Sequence, residues 1–209
     1  MANVKITDLP AGTALGGSEL FESVQSSTSV KVSATQIKTF IGESLNITAG
    51  TVPFNTITNR AYGQFESARD QTAVSANVAY LVEFDTSAAF NSGITIASSS
   101  NITVAAAGVY SVNASIQFAN SDTTNHTSTF WFRKNGTNIA NSASIISVPK
   151  VADGGKTLAQ VTIFESMSIN DYVQLIWSVD NTAVSLDYTT ASGVIPEVPS
   201  VIFNMQRIK

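Results

Sequence analysis

The chain has 209 residues, a charged fraction of only 12%, a net charge of −4 and no cysteine. That length holds one domain of ordinary size plus something small. The missing cysteines exclude disulfides and thiolate metal sites, and the absence of any basic run gives nucleic-acid binding no electrostatic footing.

Residues 1–60 set Lys5, Lys31, Lys38 and Arg60 against Asp8, Glu19, Glu22 and Glu43, so the acidic excess lies wholly beyond residue 60. The first residues carry no apolar signal core, and no later run approaches a membrane span. The expectation is a protein made in a cytoplasm, with no membrane partner.

Residues 1–41 read as a small α+β unit. Val4-Lys-Ile-Thr-Asp-Leu9 alternates and stops at Pro10. Ser18 to Val24 is apolar enough for a strand, and Val30 and Val32 predict another. Ser33-Ala-Thr-Gln36 forms a capping box, in which each side chain can satisfy a backbone N–H of the other. Ile37, Phe40 and Ile41 then make a one-sided stripe that Gly42 can end, so a short helix is predicted over 34–41. Some forty residues without disulfide or metal seldom bury enough surface to fold alone, so this unit should need a partner surface or copies of itself. Residues 42–60, punctuated by Gly42, Asn46, Gly50, Pro53, Asn55 and Asn59, read as a partly extended linker.

From Ala61 the pattern is all-β. Val78, Tyr80, Val82 and Phe84 alternate with Ala79, Leu81 and Glu83, and Ile94/Ile96 and Ile102/Val104 predict two short strands. Ala107-Gly108 is a turn signal. After it Tyr110, Val112, Ala114, Ile116 and Phe118 fall on one face, and Ser111, Asn113, Ser115 and Gln117 on the other. That second face is polar but uncharged, which suits solvent or a subunit contact. Phe130 to Lys134 runs into Asn135-Gly136, the strongest short hairpin signal in the chain, with Thr137 to Ala140 returning. Asp153-Gly-Gly155 precedes a strand over 158–164. Tyr172 to Val179 carries Val173, Leu175, Trp177 and Val179 on one face. Segments 184–188 and 200–208 complete a pattern of eight to ten short strands, which reads as a sandwich of two sheets.

Four stretches, in order over residues 61–209, resemble the C1q/tumour-necrosis-factor jelly roll. These are Gly108-Val-Tyr110, Phe132-Arg-Lys-Asn-Gly136, Asn170-Asp-Tyr-Val-Gln-Leu175 and the aromatic closing strand Val201-Ile-Phe-Asn-Met205. Asn170 stands where the family usually has Gly, and the closing strand lacks the usual Ser-x-x-Gly. The resemblance implies an antiparallel jelly-roll sandwich and a homotrimer with one sheet facing the threefold axis. Axial calcium occurs in such relatives, but no ligand loop is visible here. Residues 3–41 resemble the short anchoring domain that opens many tailed-bacteriophage virion proteins. The motifs are Lys5-Ile-Thr-Asp-Leu-Pro10, then Gly17-Ser-Glu-Leu-Phe21, then Ser29-Val-Lys-Val-Ser-Ala-Thr-Gln-Ile-Lys-Thr-Phe40. That resemblance implies a particle-attachment module (residues 1–41), a linker (42–60) and a distal knob (61–209). Leu9, Leu20, Phe21, Ile37, Phe40 and Ile41 are then the anchoring side chains.

No catalytic constellation is visible. His126 lies in a polar loop without a nucleophile or an orienting partner in any motif, and the carboxylates are scattered. Trp177 shares a face with Val173 and Leu175 and reads as core. Trp131, facing opposite to Phe130 and Phe132, suits the other sheet face, a subunit contact or a sugar platform. Asn46, Asn101, Asn113, Asn125 and Asn135 begin Asn-x-Ser/Thr triplets, which chance explains in so Ser/Thr-rich a chain.

The expectation is a non-enzymatic virion structural protein displayed at the particle surface. It would be a trimeric head fibre or capsid decoration needing no cofactor and no metal. Its partners would be capsid or tail proteins, reached through residues 1–41. Ser111, Asn113, Ser115, Gln117 and Trp131 are the candidate trimer contacts. The alternative is a tail fibre that binds a host surface glycan or protein through loops holding Asp122, Asn125, His126, Asp153 and Lys156.

Overall fold

The computed structural model describes residues 20–25, 28–33 and 61–209. The chain divides between Ile57 and Thr58 into two compact units. In the first, β1 (Leu20–Gln25) and β2 (Thr28–Ser33) pair antiparallel, with Phe21 opposite Val32 and Val24 opposite Ser29. Both fall on segments expected to be strands. The expected strand at 4–9 and helix at 34–41 lie outside the described residues.

The second unit is mainly β, built of two antiparallel sheets. The first sheet orders β13 (Lys156–Met167), β9 (Gly108–Asn120), β16 (Val201–Arg207), β3 (Tyr62–Ser67) and β6 (Thr86–Ser87). Here β15 (Val184–Leu186) takes up the far end of β9 and carries β4 (Gln71–Thr72). The second orders β7 (Ile94–Ala97), β8 (Asn101–Val104), β14 (Tyr172–Val179), β10 (His126–Lys134) and β12 (Ser144–Val148). Two short strands, β11 (Thr137–Asn138) on β10 and β5 (Tyr80–Leu81) on β14, extend it. From β8 onward the chain crosses between sheets at β8–β9, β9–β10, β12–β13, β13–β14 and β14–β15.

The period-two pattern places the core. Tyr110, Val112, Ala114, Ile116 and Phe118 of β9 are all buried, and so are Phe130 and Phe132 of β10 and Val173, Leu175, Trp177 and Val179 of β14. Aromatic rings link the sheets. Phe118 lies 6.1 Å from Phe130, and Phe203 meets Phe132 edge-on at 6.2 Å, geometries favoured by ring quadrupoles. The Tyr110 hydroxyl, inside this core, donates to the Ala106 carbonyl at 2.7 Å.

The turns obey their residues. Asn135 (φ 50°) and Gly136 (φ 80°) are both left-handed, as a two-residue hairpin of matching twist requires, and Arg133 pairs with Asn138. Asn170 also sits at φ 66°, a conformation that Asn tolerates better than other side chains.

Five segments depart from expectation. The strand predicted over Val78–Phe84 pairs with β14 only at Tyr80–Leu81. Val82 and Phe84 do turn inward, but Val78 is 44% exposed, because Asn77 takes φ 58° and breaks the alternation before it starts. The strand over 158–164 runs longer, from Lys156 to Met167, and the return after Asn135-Gly136 is only two residues long. Strands β3 and β12 lie in segments without a predicted strand. The inward residues of β3 are Gly63, Phe65 and Ser67, so two of its three core positions are small. A Cβ at Gly63 would stand 3.2 Å from Cβ of Ile94, which explains the glycine.

Candidate functional site

The predicted contact residues fall on three surfaces. Ser111, Asn113, Ser115 and Gln117 are half-buried on the outer face of the first sheet. The register builds that face in rows. Ser111 is flanked by Phe164 and Gln206, Asn113 by Thr162 and Asn204, and Ser115 by Gln160 and Ile202. Gln117 stands beside Leu158. Tyr62 and Glu66 continue the rows on β3. Phe164 is 68% and Leu158 60% exposed, so the face mixes large apolar groups with amides and hydroxyls, and its charged members include Lys156, Asp187 and Glu66. A groove of about 440 Å³ runs across it, lined among others by Tyr62, Gln64, Phe90, Asn113 and Asn204. Strand β13 pairs only with β9 among the described residues, which leaves the outer edge of a twelve-residue strand open.

Trp131 is elsewhere. It pairs with Ile176 in the second sheet, points away from the core, donates from Nε1 to Asn138 Oδ1 at 2.9 Å and has the Arg133 guanidinium 6.0 Å above its ring. The five contact candidates therefore lie on opposite outer faces of the sandwich. They make no single surface within one chain, because Trp131 belongs to the sheet that the chain enters on crossing from β9 to β10.

The loop candidates do come together at one end. Asn120, at the end of β9, holds the next loop by donating to the carbonyls of Thr124 (2.8 Å) and Pro149 (3.1 Å). The Val151 N–H donates to the Asp122 carbonyl at 2.9 Å, and the Lys150 N–H to Asn125 Oδ1 at 2.9 Å. Lys156 then pairs with Asp187 at 2.5 Å, and Lys150 with Asp153 at 3.8 Å. Gly154 and Gly155, at φ 98° and 65°, make the turn that the Asp153-Gly-Gly155 signal predicted.

His126 bridges this group to the end of β14. Its Nε2 lies 2.8 Å from Asp122 Oδ2, and its Nδ1 3.4 Å from Asp180 Oδ1. Asp180 also accepts the Thr127 N–H at 2.9 Å and hydroxyl at 2.7 Å. The Asp122 carboxyl is held below its ordinary pKa, first by the His126 hydrogen bond and then by the Thr123 N–H. The imidazole thus does have orienting carboxylates, a relation that separations of 4 and 54 residues did not reveal. No cysteine exists to act as a nucleophile. The cluster binds loops together, and no group of three or more acidic or histidine side chains among the described residues is placed to hold a metal ion.

Of the anchoring candidates, Leu20 and Phe21 lie on β1. Leu9, Ile37, Phe40 and Ile41 are outside the described residues. A polar cleft that sequence reasoning missed opens between β4 and β5, with Trp177 among its lining residues. No protein-family model matches this chain, and no curated protein matches it.

Proposed function

We propose that this chain is a non-enzymatic structural protein of a tailed-bacteriophage particle, attached by residues 1–41 and displaying residues 61–209 as a C1q/tumour-necrosis-factor-like jelly-roll knob. The observation that carries the knob reading is topological. One sheet orders β3, β16, β9 and β13, the other β8, β14, β10 and β12, and the chain between them keeps crossing from sheet to sheet. That is the winding expected of a jelly roll. The four motifs that carry the resemblance fall on β9, on the β10 hairpin, on the turn into β14 and on β16, respectively.

The knob is a homotrimer in this reading. The outer face of the first sheet favours it: Phe164, Leu158, Tyr62 and Phe90 are exposed there beside largely uncharged polar rows, next to the open β13 edge. Exposed apolar groups grouped on one face, and a long unpaired edge, are features that subunit association removes from solvent. We place the protein on the head, as a fibre or capsid decoration, because little shaft separates anchor from knob. Immunogold labelling of intact particles tests this. Gold over the capsid supports the reading, and particles without gold refute it.

The end-loop cluster of Asp122, Asn125, His126 and Lys156 favours a second reading, a tail fibre meeting a host glycan or protein. In that case gold would label the tail, and antibody against the knob would block adsorption.

A further inference from the structure

We propose that the open edge of β13 pairs with the same edge of a second copy of this chain, antiparallel about a twofold axis at Val161. The contact is separate from the threefold one, since a threefold axis cannot set one strand edge against itself. It stands or falls apart from the particle reading.

The edge is built without protection. Strand β13 keeps register with β9 over all its twelve residues, so no bulge turns it aside. It contains no proline, and its two charges, Lys156 and Glu165, stand near opposite ends. Proteins guard an edge strand by keeping it short or by giving it a proline, a bulge or a central charge, and this one has none of these. The backbone pattern shows which groups are free. The Asn120 N–H donates to the Gly155 carbonyl at 2.7 Å, at the start of the register that continues along β13. Bonding to β9 then falls on every second residue, the odd-numbered ones. Leu158, Gln160, Thr162 and Phe164 therefore turn their N–H and C=O groups out of the sheet, and no backbone group among the described residues pairs with them. The Ser166 carbonyl points the same way and accepts from Lys134 Nζ at 2.9 Å, which closes that end.

Register and charge select a second copy as the occupant. A twofold axis at Val161 sets each free residue opposite another free one: Leu158 faces the second copy's Phe164, and Gln160 faces its Thr162. Every outward N–H and C=O of this stretch then gains a backbone partner. The same register lays Leu158 and Phe164, 60% and 68% exposed, side by side as a cross-strand apolar pair. Charge agrees with the direction. The strand is basic at its start and acidic near its end, so antiparallel pairing brings unlike ends together. Parallel pairing in register would set Lys156 beside Lys156 and Glu165 beside Glu165, and like charges opposite one another are destabilising.

The test is disulfide trapping in the full chain, where an introduced cysteine reports alone because the chain has none of its own. Val161→Cys puts two thiols opposite each other at a non-hydrogen-bonded pair, with Cα atoms about 4.5 Å apart, within reach of a disulfide. Mild oxidation should give covalent dimers on a non-reducing denaturing gel. Ser166→Cys, roughly 34 Å from its symmetry mate in this register, should stay as single chains. If Val161→Cys does not fold, chains with Gln160→Cys are mixed with chains carrying Thr162→Cys, and the mixture should cross-link where neither does alone. Gln160→Pro removes one outward N–H and spares the bonds to β9. It should abolish the Val161→Cys cross-link and halve the mass of the cysteine-free chain in sedimentation, whether or not the threefold contact forms. Overturning results are folded Val161→Cys or mixed chains that give no dimer, Ser166→Cys dimers in equal yield, or an unchanged mass with Gln160→Pro. An unchanged mass of three chains would overturn the edge pairing and leave the threefold reading standing.

Discussion

Trp177, Asn170 and Asp171 each turn a residue type into a measurable energy. Trp177→Ala removes a large, fully buried group and should destabilise the knob by about 3–5 kcal/mol in a denaturant or thermal melt; an unchanged melt would take the ring out of the core. Asn170 holds φ 66°, where Gly is at ease and a residue with an ordinary Cβ is not. Asn170→Ala should therefore cost about 1–2 kcal/mol, and Asn170→Gly should cost less than that. Asp171 accepts the Asn135 amide at 2.8 Å and the Ser168 N–H at 2.7 Å, and these bonds, the first foremost, hold its carboxyl below the ordinary range. A depressed native pKa gives stabilisation that is present above the unfolded value, about 3.9, and lost as pH falls through the native one. Asp171→Asn should flatten the acid limb of stability against pH; an acid limb as steep as wild type's would contradict the role.

At the scale of elements, legibility followed the size of the inward residues. Strand β9 could be read because five large or medium apolar groups alternate with polar ones, and β14 for the same reason. Strand β3 could not, since Gly63 and Ser67 occupy inward positions that lie close to Ile94 and the loops. In β12, Ser144-Ile-Ile-Ser-Val148 places Ile145 outward at 73% exposure, so its pattern does not announce a buried face. The hairpin at Asn135-Gly136 was legible from two residues because only backbone conformation was at stake. The loop cluster could be placed on loops but not assembled, because His126 and Asp180 come together only when β10 pairs with β14. The cleft at Trp177 left no signal, as its walls join residues 69–83 to a strand a hundred positions on. The open β13 edge and its exposed side chains lead to a further expectation. If the proposed trimer forms through this face, Phe164→Asp with Leu158→Asp should convert it to monomers in sedimentation of the full chain, with the monomer still folded by circular dichroism. Trimers that survive both charges would move the contact off this face.

Over the whole molecule, charge and pattern separate two units. Residues 1–60 are charge-neutral and too few for an independent core, whereas the knob carries the net −4 and an interior of its own. Attachment and knob folding should therefore be separable, since contacts that do not share residues contribute nearly independently. Phe40→Asp should reduce incorporation into particles and leave the knob's melting unchanged. The most direct measurement is the occupancy of particles assembled with the chain lacking residues 1–41, read by quantitative immunoblot of purified virions. The account predicts a soluble, folded knob that is absent from the particles. Wild-type occupancy by the truncated chain would contradict it and place the attachment surface on the knob itself.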